Sequence, residues 1–209
     1  MNIKEAYNSW STQYDTNENK TRDLEAISLR EHINGQTFEH CLEIGCGTGK
    51  NTEWLITQAA KVLAVDLSEE MLSKAKQKIT ANNVAFNQVD ITQDWSFTGS
   101  HLFDLATFSL VLEHIEDLEA IFDKLNKVIQ TNGIVYISEL HPFKQYSGSK
   151  ARFETSEGVQ VVTCFNHHIT DFVNAAKNHG FELINIKEYF DDNDTNNIPR
   201  ILTLIFKKK

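Results

Sequence analysis

The stretch Leu42-Glu43-Ile44-Gly45-Cys46-Gly47-Thr48-Gly49-Lys50 limits what this chain can fold into more than any other. Cys41 to Ile44 is a short apolar run, interrupted by Glu43, that stops abruptly at glycine. The pattern predicts a buried strand, a tight loop and a helix starting near Asn51. One glycine can turn the chain sharply, and another can let a ligand touch backbone. The helix behind such a loop offers free N–H groups and the positive end of its dipole. Nucleotide-like ligands sit at strand–loop–helix corners of this kind.

The spacing separates this loop from two others. A phosphate-binding P-loop reads G-x-x-x-x-G-K-[ST]; here Gly45 and Gly49 are one residue too close, and Asn51 stands where Ser or Thr belongs. A dinucleotide fingerprint reads G-x-G-x-x-G; here the third glycine comes one residue early. Glu43, a carboxylate two residues before the first glycine, suits a cationic ligand better than a pyrophosphate. Glu43, Gly45, Gly47 and Gly49 resemble, position for position, motif I of the class I S-adenosylmethionine-dependent methyltransferases, E/D-x-G-x-G-x-G. The resemblance implies that S-adenosyl-L-methionine is the cofactor. It places Glu43 near the methionine amino group, with Cys46 and the glycines around it.

Further along, Val62 to Asp66 is apolar except at its end, as suits a central parallel strand. Asp66 follows Gly45 by 21 residues, where an acid can accept both ribose hydroxyls. Leu67, Met71 and Leu72 follow closely enough to line an adenine pocket, and Ser68 fits a helix cap. Val84 to Asp90 predicts a third strand. Asp90-Ile91 resembles the family's adenine clamp, a carboxylate and the next N–H reaching the base; a simple loop cap is the alternative for Asp90. Phe103 to Ser109 predicts a fourth strand, with Asp104 structural at its start. With Leu110 to Ile115 it resembles motif IV, which implies that the Phe108-Ser109 strand end passes beneath the sulfonium. His114 is a candidate base, a substrate contact or a packed histidine.

The N-terminal segment carries Ile3, Tyr7, Trp10 and Tyr14 on one helical face. Residues 7–15 resemble the lid of small-molecule methyltransferases, which implies that Tyr14 closes over the cofactor; a stripe that merely packs is the other reading. Thr21 is expected to cap a second helix reaching Ile33, with Leu24, Ile27 and Ile33 inward. Leu118 to Ile129 is amphipathic and is expected to end at Asn132-Gly133, before a fifth strand, Ile134–Glu139.

Residues 140–168 form the least regular stretch. A connection this long is usually functional, and it leaves a strand end where ligands bind in open α/β sheets. It holds His141, Tyr146, Lys150, Arg152, His167 and His168. His141 is the first candidate for a base, since it follows the strand tip most closely and histidine titrates near neutrality. Tyr146, Arg152, His167 and His168 are candidate acceptor contacts, and Lys150 and Arg152 would suit an anion. Thr170 is expected to cap a short helix, and Phe181–Phe190 and Ile198–Phe206 to form a closing hairpin. Asp192, Asp194 and Asn196 imitate the start of a calcium loop, but Asn197 and Thr203 stand where its glycine and glutamate belong. His167-His168 lacks zinc spacing, and no metal is expected.

The expected fold is α/β: a Rossmann-like, doubly wound, mainly parallel seven-stranded sheet with one antiparallel strand and helices on both faces. The resemblance implies the order 3-2-1-4-5-7-6. One domain is expected over residues 1–209, with a lid at 1–35, a cofactor core at 36–139, an acceptor insert at 140–168 and a closing helix and hairpin at 169–209. A net charge of −9 argues against nucleic acid as the acceptor. No apolar run approaches membrane-spanning length. The three cysteines form no C-x-x-C pair and suit a reducing, cytoplasmic compartment. The expected activity is methyl transfer to a small molecule. A non-catalytic cofactor-binding module and a nicotinamide oxidoreductase are its rivals. Oligomeric state leaves no mark in the sequence.

Overall fold

A computed structural model describes residues 2–155 and 158–209. Five strands alternate with helices: β1 (Phe38–Ile44), β2 (Ala59–Asp66), β3 (Val84–Gln88), β4 (Phe103–Ser109) and β5 (Ile129–Leu140). They are joined by parallel pairing of β3 with β2, β2 with β1, β1 with β4 and β4 with β5. A short hairpin, β6 (Arg152–Thr155) and β7 (Gly158–Val161), stands apart. The closing strands β8 (Phe181–Tyr189) and β9 (Ile201–Lys208) complete the order β3-β2-β1-β4-β5-β9-β8. β9 runs antiparallel to both neighbours, so it alone reverses the sheet. This is the expected fold and strand order.

Alternation along the strands divides the core. Leu42, Ile44, Ala106, Phe108, Val135 and Ile137 join the cluster on one face. There Phe122 of α5 (Leu118–Val128) and Phe172 of α7 (Ile169–Asn178) cover the sheet. Cys41, Val62, Ala64, Leu105 and Tyr136 point to the opposite face. That side is covered by Leu29 and Ile33 of α2 (Lys20–Ile33), Leu55 of α3 (Thr52–Leu55) and Leu72 of α4 (Glu69–Lys78). The chain builds outward from β1 to β3, then returns to β4 on the other side. The carboxyl ends of β1 and β4 therefore flank the crevice where open α/β sheets take ligands. A third cluster joins α1 (Ile3–Trp10) to the hairpin through Ala6, Trp10, Met71, Phe153 and Val162.

Several local expectations are corrected. The first helix stops at Trp10, and Tyr14 lies in the turns beyond it. Asn19, not Thr21, caps α2, accepting from the Thr21 and Arg22 amides at 3.0 and 3.1 Å. The inward face of α2 carries Glu25 and Ser28, while Ile27 is exposed. The Ser28 hydroxyl meets Thr203 at 2.6 Å and Tyr136 at 3.0 Å, so this helix docks partly through buried hydroxyls. The chain passes from α5 directly into β5, and Asn132, at φ +66°, sits within that strand. Thr170 lies inside α7, which starts after His168; Asp171 accepts from the His168 amide at 2.7 Å. The segment expected to be irregular contains α6 (Pro142–Tyr146) and the β6–β7 hairpin. Lys207 and Lys208 belong to β9, and the Lys208 ammonium binds the Ile129 carbonyl at 2.7 Å.

Candidate active site

A cavity of about 200 Å³ opens at the carboxyl ends of β1, β2 and β4. Gly45 and Gly47 border it from the first loop, Asp66 and Leu67 from the end of β2, and Met71 from α4. Asp90, Ile91, Ser109 and His114 close it from the later strand ends, with Tyr7 and Tyr14 above. Ten of the residues expected from sequence thus meet in one cavity. Gly45 adopts φ +72°, and a Cβ there would lie 2.2 Å from the Val111 side chain. Gly47 adopts φ +55°, with its nearest neighbour, a Tyr14 ring carbon, 4.0 Å away. The space a side chain would fill at Gly47 is left open, as a ligand lying on the backbone requires.

The acids around this cavity differ in their work. Asp66 accepts from the Gly47 and Ser68 amides, each at 2.8 Å, so it holds the glycine loop while lining the cavity. Burial lifts its pKa above the ordinary range. Asp90 accepts from the Thr92 amide and hydroxyl at 2.9 and 2.6 Å, all through Oδ1. The loop-cap reading of Asp90 and its place in the cavity therefore hold together. Asp104 sits at the far end of β4 and accepts from the Glu39 and His40 amides at 2.8 and 2.9 Å, a structural tie.

Glu43 lies in a smaller recess beside the cavity, shared with Cys46, Glu25, Asn51 and Ser109. It is 4% exposed and accepts from the Thr52 hydroxyl at 2.5 Å. Burial, with Glu25 and Asp66 nearby, pushes its pKa up to about 8. Glu25 accepts from Ser109 at 2.7 Å and Asn51 at 2.8 Å, and burial raises it too. Neither buried acid is in an ion pair among the described residues, although Arg22 and Lys50 also border the recess, so a positive group placed between the two acids would favour their charged forms. Sequence reading missed Glu25, because on α2 a buried glutamate looks like any solvated one until the helix docks.

His114 occupies the junction between the cavity and a second pocket. Its Nδ1 lies 2.8 Å from the Thr163 carbonyl, which can only accept, so Nδ1 carries a proton. In the neutral ring Nε2 is then an acceptor, met by the Tyr7 hydroxyl at 2.7 Å. Glu113, 6% exposed, lies beside it, and burial raises its pKa. Cys164 brings a thiol to the same place, within 4.8 Å of the other two groups. Burial pushes that thiol up to about 12. A metal ion at Nε2 would have to displace the Tyr7 hydroxyl and remove the proton of a thiol held high by burial, whereas proton exchange at Nε2 needs neither loss.

The second pocket, of about 380 Å³, lies under α1 and against the hairpin. It shares Tyr7, Tyr14 and Leu110 with the first cavity and includes Arg152. Leu110 adopts φ +60°, an uncommon strained state for a bulky residue, where β4 ends between the two spaces.

Other expected site residues lie elsewhere. Gly49 packs against Ala75 and Ile79, and Phe108 is fully buried in the core. His141 lines neither space. It is buried, its Nδ1 accepts the Phe143 amide at 3.2 Å to cap α6, and its Nε2 donates to Glu188 at 2.9 Å. Tyr146 and His168 pair with each other at 2.5 Å. His167 donates to the Ile115 carbonyl at 2.7 Å and faces a separate groove beside Asp117 and Asp171. Proximity to a strand tip in sequence did not reveal which way these side chains turn.

Residues 42–137 match the family model described as a methyltransferase domain. An uncharacterised methyltransferase of Emericella nidulans is 24% identical over 86% of this chain and 76% of its own length. The chain spans 52–57% of the length of several other curated relatives. An S-adenosylmethionine-dependent methyltransferase from Mesorhizobium loti superposes with a TM-score of 0.71 at 20% identity, over 90% of this chain and all of that one. The N-methyltransferase NodS from Bradyrhizobium japonicum, in complex with S-adenosyl-L-homocysteine, gives 0.69 at 17% identity, over 97% and 98% of the two chains. Over residues 42–137 the chain is thus similar in sequence to methyltransferase domains, and its fold is that of S-adenosylmethionine-dependent methyltransferases.

Proposed function

We propose that this chain is an enzyme that methylates a small molecule, with S-adenosyl-L-methionine in the first cavity and the acceptor in the second pocket. The observation that carries this reading is the convergence of the glycine loop, Asp66, Asp90 and His114 on one cavity that shares Tyr7, Tyr14 and Leu110 with another. The open face of Gly47 and the acid-lined recess at Glu43 fit the cofactor's backbone contact and its amino group. Asp66 keeps lone pairs beyond those given to the loop and can accept from ribose hydroxyls. When bound, the cofactor supplies an electrophilic methyl group: the acceptor's lone pair forms the new bond to carbon while the carbon–sulfur pair leaves with sulfur. This chain's part is positioning and proton removal. His114 Nε2, its tautomer set by Thr163, can take the proton of an acceptor hydroxyl or amine that displaces the Tyr7 O–H.

In this reading residues 1–35 act as the lid, 36–139 hold the cofactor, and part of 140–168 meets the acceptor. The free cysteines fit the reducing, cytoplasmic setting expected from sequence, and among the described residues no helix is long and apolar enough to cross a membrane. Calorimetry with S-adenosylhomocysteine and with NAD tests the cofactor: a response to NAD alone would sink the reading. His114→Gln can keep the Thr163 bond but cannot take a proton. It should lower kcat about 10²–10⁴-fold with cofactor affinity unchanged; an unaltered kcat would remove His114 from the chemistry.

A further inference from the structure

The second pocket is positively lined in a protein of net charge −9. Lys20, Arg22, Lys150, Arg152 and Arg200 border it, against one acid, Glu113. Two of these cations are answered by carboxylates. Arg200 holds Asp191 through Nε and Nη2, and Lys20 lies 3.8 Å from Asp192. Arg22 is turned into the lid, where it donates to the Tyr14 and Asn17 carbonyls and covers the Tyr14 ring at 4.1 Å. Lys150 and Arg152 differ. Among the described residues neither has a carboxylate partner; Arg152 opens β6, Lys150 lies two residues before it, and both border the pocket.

The opposite wall is of another kind. Glu113 Oε2 is buried and has no hydrogen-bond partner among the described residues. A buried carboxyl oxygen left unpaired costs free energy that a ligand's donor group can recover. His114 Nε2 lies 3.9 Å from the other Glu113 oxygen and is an acceptor in the neutral ring. One wall thus offers two cations with no carboxylate partner among the described residues, and the other offers Glu113, with His114 Nε2 behind the Tyr7 hydroxyl that meets it. Tyr7 and Tyr14 join that acceptor wall to the cofactor cavity.

We propose that the methyl acceptor is a small anion: its carboxylate or phosphoryl group is held by Lys150 and Arg152, and its nucleophilic O–H or N–H is turned towards His114 and Glu113. This rests on the reading of the first cavity as the cofactor site. A planar guanidinium can grip either group with two parallel N–H bonds, and the lysine adds a point charge. The polarity also orients the molecule. Its anionic end is drawn to the hairpin, so its protic end is left on the side that faces the cofactor cavity. A cationic acceptor would meet the same two charges as repulsion.

The test uses the full chain saturated with S-adenosylhomocysteine. Calorimetry first compares binding of that product by the wild type and by the double variant Lys150→Ala/Arg152→Ala, with equal affinity expected. If the wild type fails to bind it, the cofactor reading falls rather than this one. Inorganic phosphate and acetate are then titrated separately into the loaded protein and followed by amide chemical shifts. At least one ion should give saturable shifts centred on residues 149–152, and the double variant should bind it at least about tenfold more weakly. A response to phosphate alone assigns a phosphoryl group, to acetate alone a carboxylate, and to both a site for either. No saturable response to either ion overturns the proposal. So does equal binding by wild type and a double variant whose circular dichroism shows that it is folded.

Discussion

Glu43 keeps its proton near neutrality because burial beside Glu25 and Asp66 lifts its pKa to about 8. A cationic amino group placed in that recess favours the carboxylate, so cofactor binding should expel a proton at pH 7. Calorimetry in two buffers of different ionisation heat measures this directly. Glu43→Gln should abolish the proton release and cost about 1.5–3 kcal/mol of affinity; undiminished release would place the titrating group elsewhere. Asp66 and Asp104 offer a second contrast, since both accept two backbone amides at opposite ends of the sheet. Asp66→Ala should weaken S-adenosylhomocysteine binding by about 1.5–3 kcal/mol, whereas Asp104→Ala should lower stability and leave affinity unchanged. Equal affinities in two folded variants would contradict the placement of the ribose at Asp66.

At the scale of elements, α1 and the β6–β7 hairpin hold each other. Trp10 stacks on Phe153 at 5.2 Å and 14°, and meets the Tyr14 ring edge at 5.1 Å. This cluster is separate from the two that pack the sheet, so loosening it should not melt the core. Trp10→Ala should therefore free residues 3–16, 151–155 and 158–162 to exchange their amide hydrogens while the sheet stays protected. It should also speed release of S-adenosylhomocysteine roughly tenfold. Uniform loss of protection across β1, β4 and β5 would show instead that the cluster is part of the global core. Helical spacing pointed to the aromatic stripe, yet Tyr14 reaches the cavity from a turn beyond the helix. Its partner hairpin left no clear mark in the sequence, because Phe153 is buried while Val159 and Val161 are exposed, so hydrophobicity in these short strands does not follow burial.

For the whole molecule, buried acids set the pH response. Glu43 and Glu139 are both pushed up to about 8, chiefly by burial, and Glu25, Asp66 and Glu113 are raised as well. A carboxyl whose folded pKa exceeds its unfolded value binds more protons in the folded state. Its stabilising contribution is complete below the unfolded pKa and fades as pH rises through the folded one. The denaturation midpoint should thus fall between pH 6 and pH 9, and Glu139→Gln should flatten that decline. A midpoint that rises over this range would mean these groups ionise without penalty. At the acid end the sign reverses: Asp191, held low by the Arg200 guanidinium, loses that contribution as pH falls through its folded pKa.

The parts of this protein that rest on local rules were legible in its residues alone. Glycines at fixed spacing after an apolar run dictated the β1 loop, and acids ending the next strands marked the crevice. The alternation of strand and helix set the sheet, because each pattern has only one economical way to bury its apolar face. What depends on direction and on contacts between distant residues came from the folded packing. It turned His141 under α6 and left His114 at the junction of two spaces, held by Thr163 and Tyr7 from remote parts of the chain. It also buried Glu25 against β4 and β5, and set Lys150 and Arg152 at the pocket with no carboxylate partner among the described residues. A side chain's pKa, tautomer and partner are properties of its surroundings, and those surroundings exist only once helices and strands far apart in sequence have docked.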